Sequence, residues 1–396
     1  MNLGGRPAFR LRKRYCVVAA ALCAAVLISQ PSHAQKRSDG TVPNKPALGP
    51  AGERLNANTI AIISGNLNAT YVTIAYDLSA VLDDGDEFRV LPVIGKGGGQ
   101  NIKDVRFLKG VDLGITQSNL LGYYKRNNEI GPIDDKIVYI AKLFNEEMHL
   151  VVRADSGITS IEQLAGKKVN FSDLGSGTQL STRDIFERLG IKAEELNMGQ
   201  NDALEKLKSG EIAATILIAG KPAGAITKAK AADGFRILPI AYPKALQDDY
   251  LPTTLTNEDY PGLIAPGQKV ETIAVGAVLI AFNWPKGTDR YRRIQKFVDV
   301  FFPRLTEFQK PPRHPKWREA NLAAVLPGWK RFEGADEWLR SHAIVSDADR
   351  GRFDSFLAAR QQVQQAQQAQ PASLSTDERD QLFQEFMKWS KARERR

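Results

Sequence analysis

Cysteine is nearly absent from this chain: two residues, Cys16 and Cys23, among 396. Both fall in an N-terminal stretch that reads as a discarded secretory signal. With that stretch removed the chain has no cysteine, which excludes disulfides, thiolate metal sites and cysteine nucleophiles together. A cysteine-free chain suits an oxidising compartment. Histidine is scarce as well. Apart from His33 in the signal there are only His149, His314 and His342, too far apart for metal-ligand spacing, so no metal site is expected. The apolar run at 17–28 falls short of the ~20 residues that a membrane-spanning helix needs.

What stands at the N-terminus has three parts. Arg6, Arg10, Arg12, Lys13 and Arg14 form a basic region, the apolar run follows, and Ser32-His33-Ala34 supplies small residues where a signal peptidase reads. This order predicts a signal peptide at 1–34, cleavage before Gln35 and export to the periplasm. Cys23 follows the bulky Leu22, where a lipidation site needs a small residue. The net charge of +9 then changes meaning. The signal carries five basic and no acidic residues, and 17 basic against 13 acidic residues lie from Phe301 onward, so the stretch between is balanced. No basic stripe with interleaved aromatics is present, and nucleic acid is not an expected partner.

Residues 35–58, rich in Pro, Gly, Lys and Asn, read as a flexible leader. Strands and helices then alternate. Short apolar strands are expected at 59–63, 88–94, 111–116, 137–143 and 149–153, and a second set at 167–171, 212–218, 235–240 and 272–283. Helical patterns lie between them, one at 222–232. This predicts an α/β fold of two lobes, each a mostly parallel sheet flanked by helices. Lobe 1 is expected at 59–155, continued by 263–340, and lobe 2 at 156–262. Trp317, Trp329 and Trp338, set among prolines, suggest a segment that wraps over a lobe. Residues 341–396 read as a helical extension that includes a Gln/Ala-rich stretch, either helical or disordered. Its last helix, expected after the capping-box spacing at Ser375 to Glu378, would dock on its own protein, or on a partner or membrane surface.

Ligands of open α/β sheets bind in loops beyond the carboxyl ends of strands, and four such loops have unusual composition. The first, 64–71, carries Asn68, Thr70 and Tyr71. The second, 95–101, places Gly98, Gln100 and Asn101 beside Lys96. The third holds Gln117, Ser118 and Asn119, and the fourth Ser176, Gly177 and Thr178. Helix starts offer unpaired N–H groups and partial positive charge, and glycines let a carboxylate approach them. The expected chemistry is capture of a small anion without a cofactor.

Enzyme signatures are missing. Gly95-x-Gly97 and Gly175-x-Gly177 lack the third glycine of a dinucleotide fingerprint, and Lys96 precedes its glycines, unlike a P-loop lysine. Ser176 does not sit in a nucleophile elbow. His149 opens an apolar strand and reads as a structural histidine. The acid pairs Glu146-Glu147 and Asp134-Asp135 read as solvated turns.

The ordered set of motifs resembles the TAXI family, the extracytoplasmic receptors of TRAP transporters. Its marks are S-G-N-x-x-x-T-Y at 64–71, G-G-G-Q-N at 97–101, V-D-L-G-I-T-Q-S-N at 111–119 and H-L-V-V-R at 149–153. G-S-G-T at 175–178 and the turn Ala219-Gly220-Lys221-Pro222 complete it. The resemblance implies a type II periplasmic-binding-protein fold, no catalysis, and a monomer that delivers a carboxylate to a TRAP-type membrane permease. A glutamate-like acid or a dicarboxylate is the implied ligand. Carried onto this sequence, the first-lobe residues named above would face Ser176, Gly177, Thr178, Gly220 and Pro222 from the second. Asn68-Ala69 stand where the family usually has glycines. Asn119 replaces an Asp that would pair an amino group, which weakens the case for an amino-acid ligand. The alternative reading is a binding adaptor that reports its ligand to an envelope sensor through the C-terminal helix.

Overall fold

The computed structural model describes residues 49–67 and 69–342. The signal, the leader up to residue 48, Asn68 and the extension beyond residue 342 lie outside the described residues. Except for Gly49, the described residues fall in the second of two units into which the chain divides, Pro50–Arg396.

The leader ends in a helix, α1 (Gly49–Asn58), where Pro- and Asn-rich composition had suggested flexible chain. The first βα succession follows. It runs β1 (Thr59–Ile63), α2 (Thr70–Leu82), β2 (Arg89–Val93), α3 (Gly98–Phe107), β3 (Leu113–Gln117) and α4 (Leu120–Asn127). After the long strand β4 (Ile137–Arg153) comes a second succession: β5 (Lys168–Asn170), α5 (Gly177–Arg188), β6 (Glu194–Leu196), α6 (Gln200–Ser209), β7 (Ala214–Ala219) and β8 (Phe235–Ile237). Strands β9 (Leu251–Thr256) and β10 (Lys269–Phe282) precede α7 (Asp289–Phe301), α8 (Leu305–Phe308) and α9 (Glu333–Ser341). Local chemistry sets several boundaries. Ser176 Oγ accepts from Gln179 N at 3.1 Å to start α5, and Thr288 Oγ1 accepts from Tyr291 N at 3.2 Å to start α7. Gly210, left-handed at φ 80°, ends α6.

The strands form one ten-stranded sheet of order β2-β1-β3-β10-β4-β7-β5-β6, with β8 added to β4 and β9 to β10. The pairings β1/β2, β1/β3, β5/β6 and β5/β7 are parallel, as the βα alternation requires. Every strand-to-strand pairing made by β4 or β10 is antiparallel. The sheet is therefore mixed, because one long strand leaves the first lobe and the other returns beside it.

Among the described residues the apolar core falls into four clusters, and β4 contributes to all of them. Val138, Ile140, Leu143 and Phe144 on β4 and Ala277, Leu279 and Ala281 on β10 pack with β1, α2 and α7 in one, while Ile137 and Tyr139, with Val278 and Ile280, pack with α3 and α4 in another. Met148, Leu150 and Val152 on β4, with Ile273 and Val275 on β10, pack with α5 and β7 in a third, and Val151 packs with α6 in the fourth. The crossing lies where Asn145 pairs with Gly276. The sequence suggested two strands separated by a polar turn at this point; the structure has one. Asn145, Glu146 and Glu147 stay in strand conformation as they pass between cores, where the Asn145 N–H and the carboxyls of Glu146 and Glu147 find partners.

The tryptophan-bearing segment wraps over the first lobe. Trp317 is fully buried, and its Nε1 donates to Asp77 on α2 at 2.9 Å. Single bridges join Tyr139 to Arg331 and Lys142 to Asn321. The helix expected at 222–232 is instead two 3-10 turns, Ile226–Lys228 and Ala231–Asp233. Gly224 falls inside the expected range, and Gly234, at φ 82°, closes the second turn just beyond it. Among the described residues no helix is long and apolar enough to cross a membrane.

Candidate functional site

The loops after β1 and β2 and the end of β3 in one lobe, and the loops after β5, β6 and β7 in the other, border one cavity of about 420 Å³. Four helices begin at its wall. Thr70 and Tyr71 open α2, Gly98 opens α3, Gly177 and Thr178 open α5, and Gln200, Asn201 and Asp202 open α6. First-turn N–H groups have no partner within their own helix and carry the positive end of the helix dipole. Only α6 has an acid in its first turn, Asp202; α2, α3 and α5 have none. Their positive ends are thus uncompensated from within, and an anion is favoured at the starts of α2, α3 and α5. Lys96 and Lys228 add full positive charges, and Asp173 joins Asp202 as a negative one.

The two lobes touch behind and beside the cavity. Gln100 N donates to Gly175 O at 2.9 Å, and Asn66 Nδ2 donates to Asp173 at 3.2 Å. Ser181 Oγ donates to Gln117 Oε1 at 2.6 Å. Asn119 Nδ2 reaches Ser181 Oγ and the Tyr250 hydroxyl, both at 2.9 Å. Arg126 pairs with Asp184 at 2.5 Å. Glycine makes this approach sterically feasible. A Cβ on Gly99 would lie 2.5 Å from Leu180 Cδ1 and 2.8 Å from Gly175 O, and one on Gly177 would lie 2.7 Å from Gln117 Oε1.

Several anticipated site residues line this cavity: Thr70, Tyr71, Gly98, Gln117, Ser176, Gly177 and Thr178. Their side chains are partly committed elsewhere. Ser176 caps its own helix. Thr178 Oγ1 accepts from Ile218 N at 3.0 Å and donates to Ile218 O at 3.2 Å, locking the start of α5 to β7. What these positions offer a ligand is chiefly backbone.

The remaining anticipated residues do not line it. Asn101 is fully buried, and its Nδ2 serves the carbonyls of Ser64 at 2.9 Å and Ile115 at 2.7 Å, tying two strand ends together. Gln100 turns to Asp104 at 2.8 Å. Ser118 hydrogen-bonds Gly276 through backbone and hydroxyl. Asn119 is buried in the contact between lobes. Gly220 packs against Lys316 and Phe144, and Pro222, after a cis peptide bond, faces solvent. Asn68 lies outside the described residues. Lys221 is turned away, its Nζ bonded to Thr254 O at 2.7 Å and Asp259 at 3.0 Å.

Sequence reasoning missed the cavity's most unusual residue. Glu146 is 3% exposed and lines the wall. Its Oε2 accepts from the Tyr71 hydroxyl at 2.6 Å. Burial pushes its pKa up to about 8, against the pull of hydrogen bonds from Tyr71 and Gln117 and with a further push from Glu147. Glu147, equally buried, pairs with Lys316 at 2.6 Å and accepts from Lys221 N at 2.8 Å. The pair read as a solvated turn is thus buried; Asp134 and Asp135 are exposed, as expected. The polar triplet at 145–147 marked an interruption between strands but gave no sign of a cavity. The start of α6 was also missed, although Gly199-Gln200-Asn201-Asp202 has the composition of a polar helix start. His149 is buried, with Nε2 2.7 Å from the Tyr260 hydroxyl and Nδ1 3.2 Å from Leu217 O. Burial lowers its pKa to about 4.

Fold and site define an α/β protein of two lobes that enclose a small polar cavity lined by helix starts. The chain belongs to the NMT1-like family, whose model matches residues 64–285. Among solved structures it is similar to the periplasmic aliphatic sulphonate binding protein SsuA from Escherichia coli, with 16% identity, 64% of this chain and 75% of that chain covered, and a TM-score of 0.39. A structure described as a periplasmic transporter matches at 16% identity over 72% of this chain and 92% of its own, with a TM-score of 0.43. The amino acid ABC transporter substrate-binding protein AbpA from Streptococcus pneumoniae, bound to L-arginine, matches at 13% identity over 64% and 92%, with a TM-score of 0.37.

Proposed function

We propose that this protein is an exported periplasmic receptor that closes two lobes around a small organic acid and delivers it to a TRAP-type membrane permease. The observation that carries the reading is the convergence of four helix N-termini from two lobes on one cavity of about 420 Å³. That volume lies within the ~300–1,000 Å³ range of small-molecule sites. Three of those helix ends have no acid of their own to neutralise them, so a carboxylate is the ligand group best matched to them. The TAXI-like motifs at 64–71, 97–101 and 175–178 fall on the same loops, which supports the TRAP assignment. Binding rather than catalysis fits the side chains present. Ser176 and Thr178 are held in structural hydrogen bonds, and His149 points to Tyr260. Lobe closure would then present the permease with a surface that the open form lacks.

A thermal-shift screen against dicarboxylates, keto acids, amino acids and sugars tests this. An acid at 100 times its Kd is expected to add about 2.7 kcal/mol to stability. Stabilisation by sugars alone, or by no small molecule, refutes the reading.

A further inference from the structure

The wall of the cavity contains a carboxyl group that the helix starts do not explain. An anion site with an ionised, buried carboxylate beside it would work against itself. Three observations resolve the conflict. First, among the described residues Glu146 has no cation of its own: Lys316, whose field reaches it, is held by Glu147 at 2.6 Å and Glu319 at 2.8 Å. Second, both polar neighbours act as donors, which pulls Glu146 toward the carboxylate but leaves a neutral Glu146 no acceptor among them. Tyr71 gives its hydroxyl hydrogen to Oε2, and Gln117, whose Oε1 already accepts from Ser181, has its amide hydrogens left for Glu146. Third, the group borders the same cavity as the starts of α2, α3 and α5. With both neighbours donating, the proton of a neutral Glu146 finds its acceptor in the cavity.

Resting on the solute-receptor reading, we propose that Glu146 meets the solute as a neutral carboxylic acid, donating its proton in a hydrogen bond to an anionic oxygen of the ligand. The receptor therefore takes up its anion in the form that carries no ammonium at this position, with a proton held at Glu146. Burial of Glu146, which raises its pKa to about 8, agrees with this assignment. The groups facing it are Tyr71 from α2, Gln117 from β3, Glu147 on its own strand and Lys316 from the 3-10 turn Pro315–Glu319. Farther round the cavity stand Lys96, Asp173, Asp202 and Lys228. Desolvation holds the Tyr71 hydroxyl protonated well above its ordinary range, so it does not share the transition.

The test is a calorimetric titration of the whole protein with succinate, malate and 2-oxoglutarate, and separately with L-glutamate. The first three carry constant charge from about pH 7 to about pH 9. If only the neutral acid binds, Kd weakens about tenfold across that interval, and nearly one proton is taken up per anion at the upper end. Two buffers of different ionisation enthalpy measure that uptake. Glu146→Gln keeps a neutral donor that cannot titrate, so its Kd is expected to vary less than about threefold over the same interval, whatever its value at neutral pH. A pH-independent wild-type Kd, or a tenfold weakening that persists in Glu146→Gln, overturns the proposal. So does binding of L-glutamate alone that tightens as pH rises and releases a proton, since Glu146 would then be the carboxylate seat of an ammonium. Failure of every acid to bind at about pH 7 removes the receptor reading as well; binding without proton linkage removes this inference only.

Discussion

Gly99 offers a perturbation whose effects on stability and on affinity should have opposite signs. It is the second residue of α3 and keeps a negative φ, so alanine fits its backbone. In an isolated helix that change favours the folded form by up to ~1 kcal/mol, because glycine loses more conformational freedom. The added Cβ, however, would lie 2.8 Å from Gly175 O and 2.5 Å from Leu180 Cδ1, both on the opposite lobe. Leu180 can rotate a methyl group, but the carbonyl is backbone and accepts the Gln100 N–H at 2.9 Å. Relieving the clash means moving one lobe several tenths of an ångström from the other. Overpacking of this kind costs about 1–3 kcal/mol, and if the lobes separate without ligand, as proposed, the cost falls only on the closed form.

Gly99→Ala should therefore leave the unliganded melting temperature unchanged or slightly raised, while the Kd for the bound acid rises about 5- to 150-fold. Calorimetry gives the Kd and a thermal melt without ligand gives the stability. Wild-type affinity in the variant would show that the lobes do not close on Gly99. A lower melting temperature with unaltered affinity would place the strain inside one lobe and refute the argument equally.

Other perturbations separate structural from ligand-facing residues. Asn101→Ala removes the donor that ties Ser64 O to Ile115 O, so it should cost about 1–3 kcal/mol of stability, read as a lower urea midpoint; lost binding at full stability would instead place Asn101 in the ligand site. Lys316→Met strands Glu147, buried with it to 3%, and should destabilise by about 3–5 kcal/mol. Adding Glu147→Leu should recover most of that loss, and failure to recover would show that the pair matters for more than its own charges. His149 titrates at about 4 in the folded chain against 6.5 when free, so the unfolded state binds its proton first as pH falls. Its contribution is present above about pH 6.5 and lost on the way down to about pH 4, roughly 3 kcal/mol in all, and His149→Gln should remove that part of the pH slope in denaturant titrations.

Much of the fold was legible because burial on both faces leaves a plain signature. The runs at β1, β7 and β10 are apolar almost throughout and form strands as expected. The break at 145–147 misled for a physical reason. A polar triplet inside an apolar run usually marks a turn, but in β4 it marks the passage between two cores, and only the three-dimensional path distinguishes the cases. The site loops show a related limit. Composition located them, since glycines, amides and hydroxyls gather where helices start. It could not say which of adjacent polar residues turns inward. Gln100 and Asn101 are chemically near-equivalent, yet one braces α3 and the other fastens strand ends.

The glycines illustrate the same point at the level of function. Read from the sequence, the run Gly97-Gly98-Gly99 freed backbone N–H groups for a ligand. In the structure only the first two border the cavity, while the third admits Leu180 of the other lobe. On the proposed reading, one short motif would serve capture and closure at once, the two roles being linked because α3 carries both. An anion seated on the starts of α2, α3 and α5 draws the positive ends of helices from different lobes toward one charge. Without that anion, the like-signed ends of α3 and α5 repel across the gap that Gly99 and Gly177 keep narrow. In the proposed receptor, ligand charge would then be the term that favours closure, with the hydrogen bonds among Gln117, Asn119 and Ser181 fixing the geometry in which it acts.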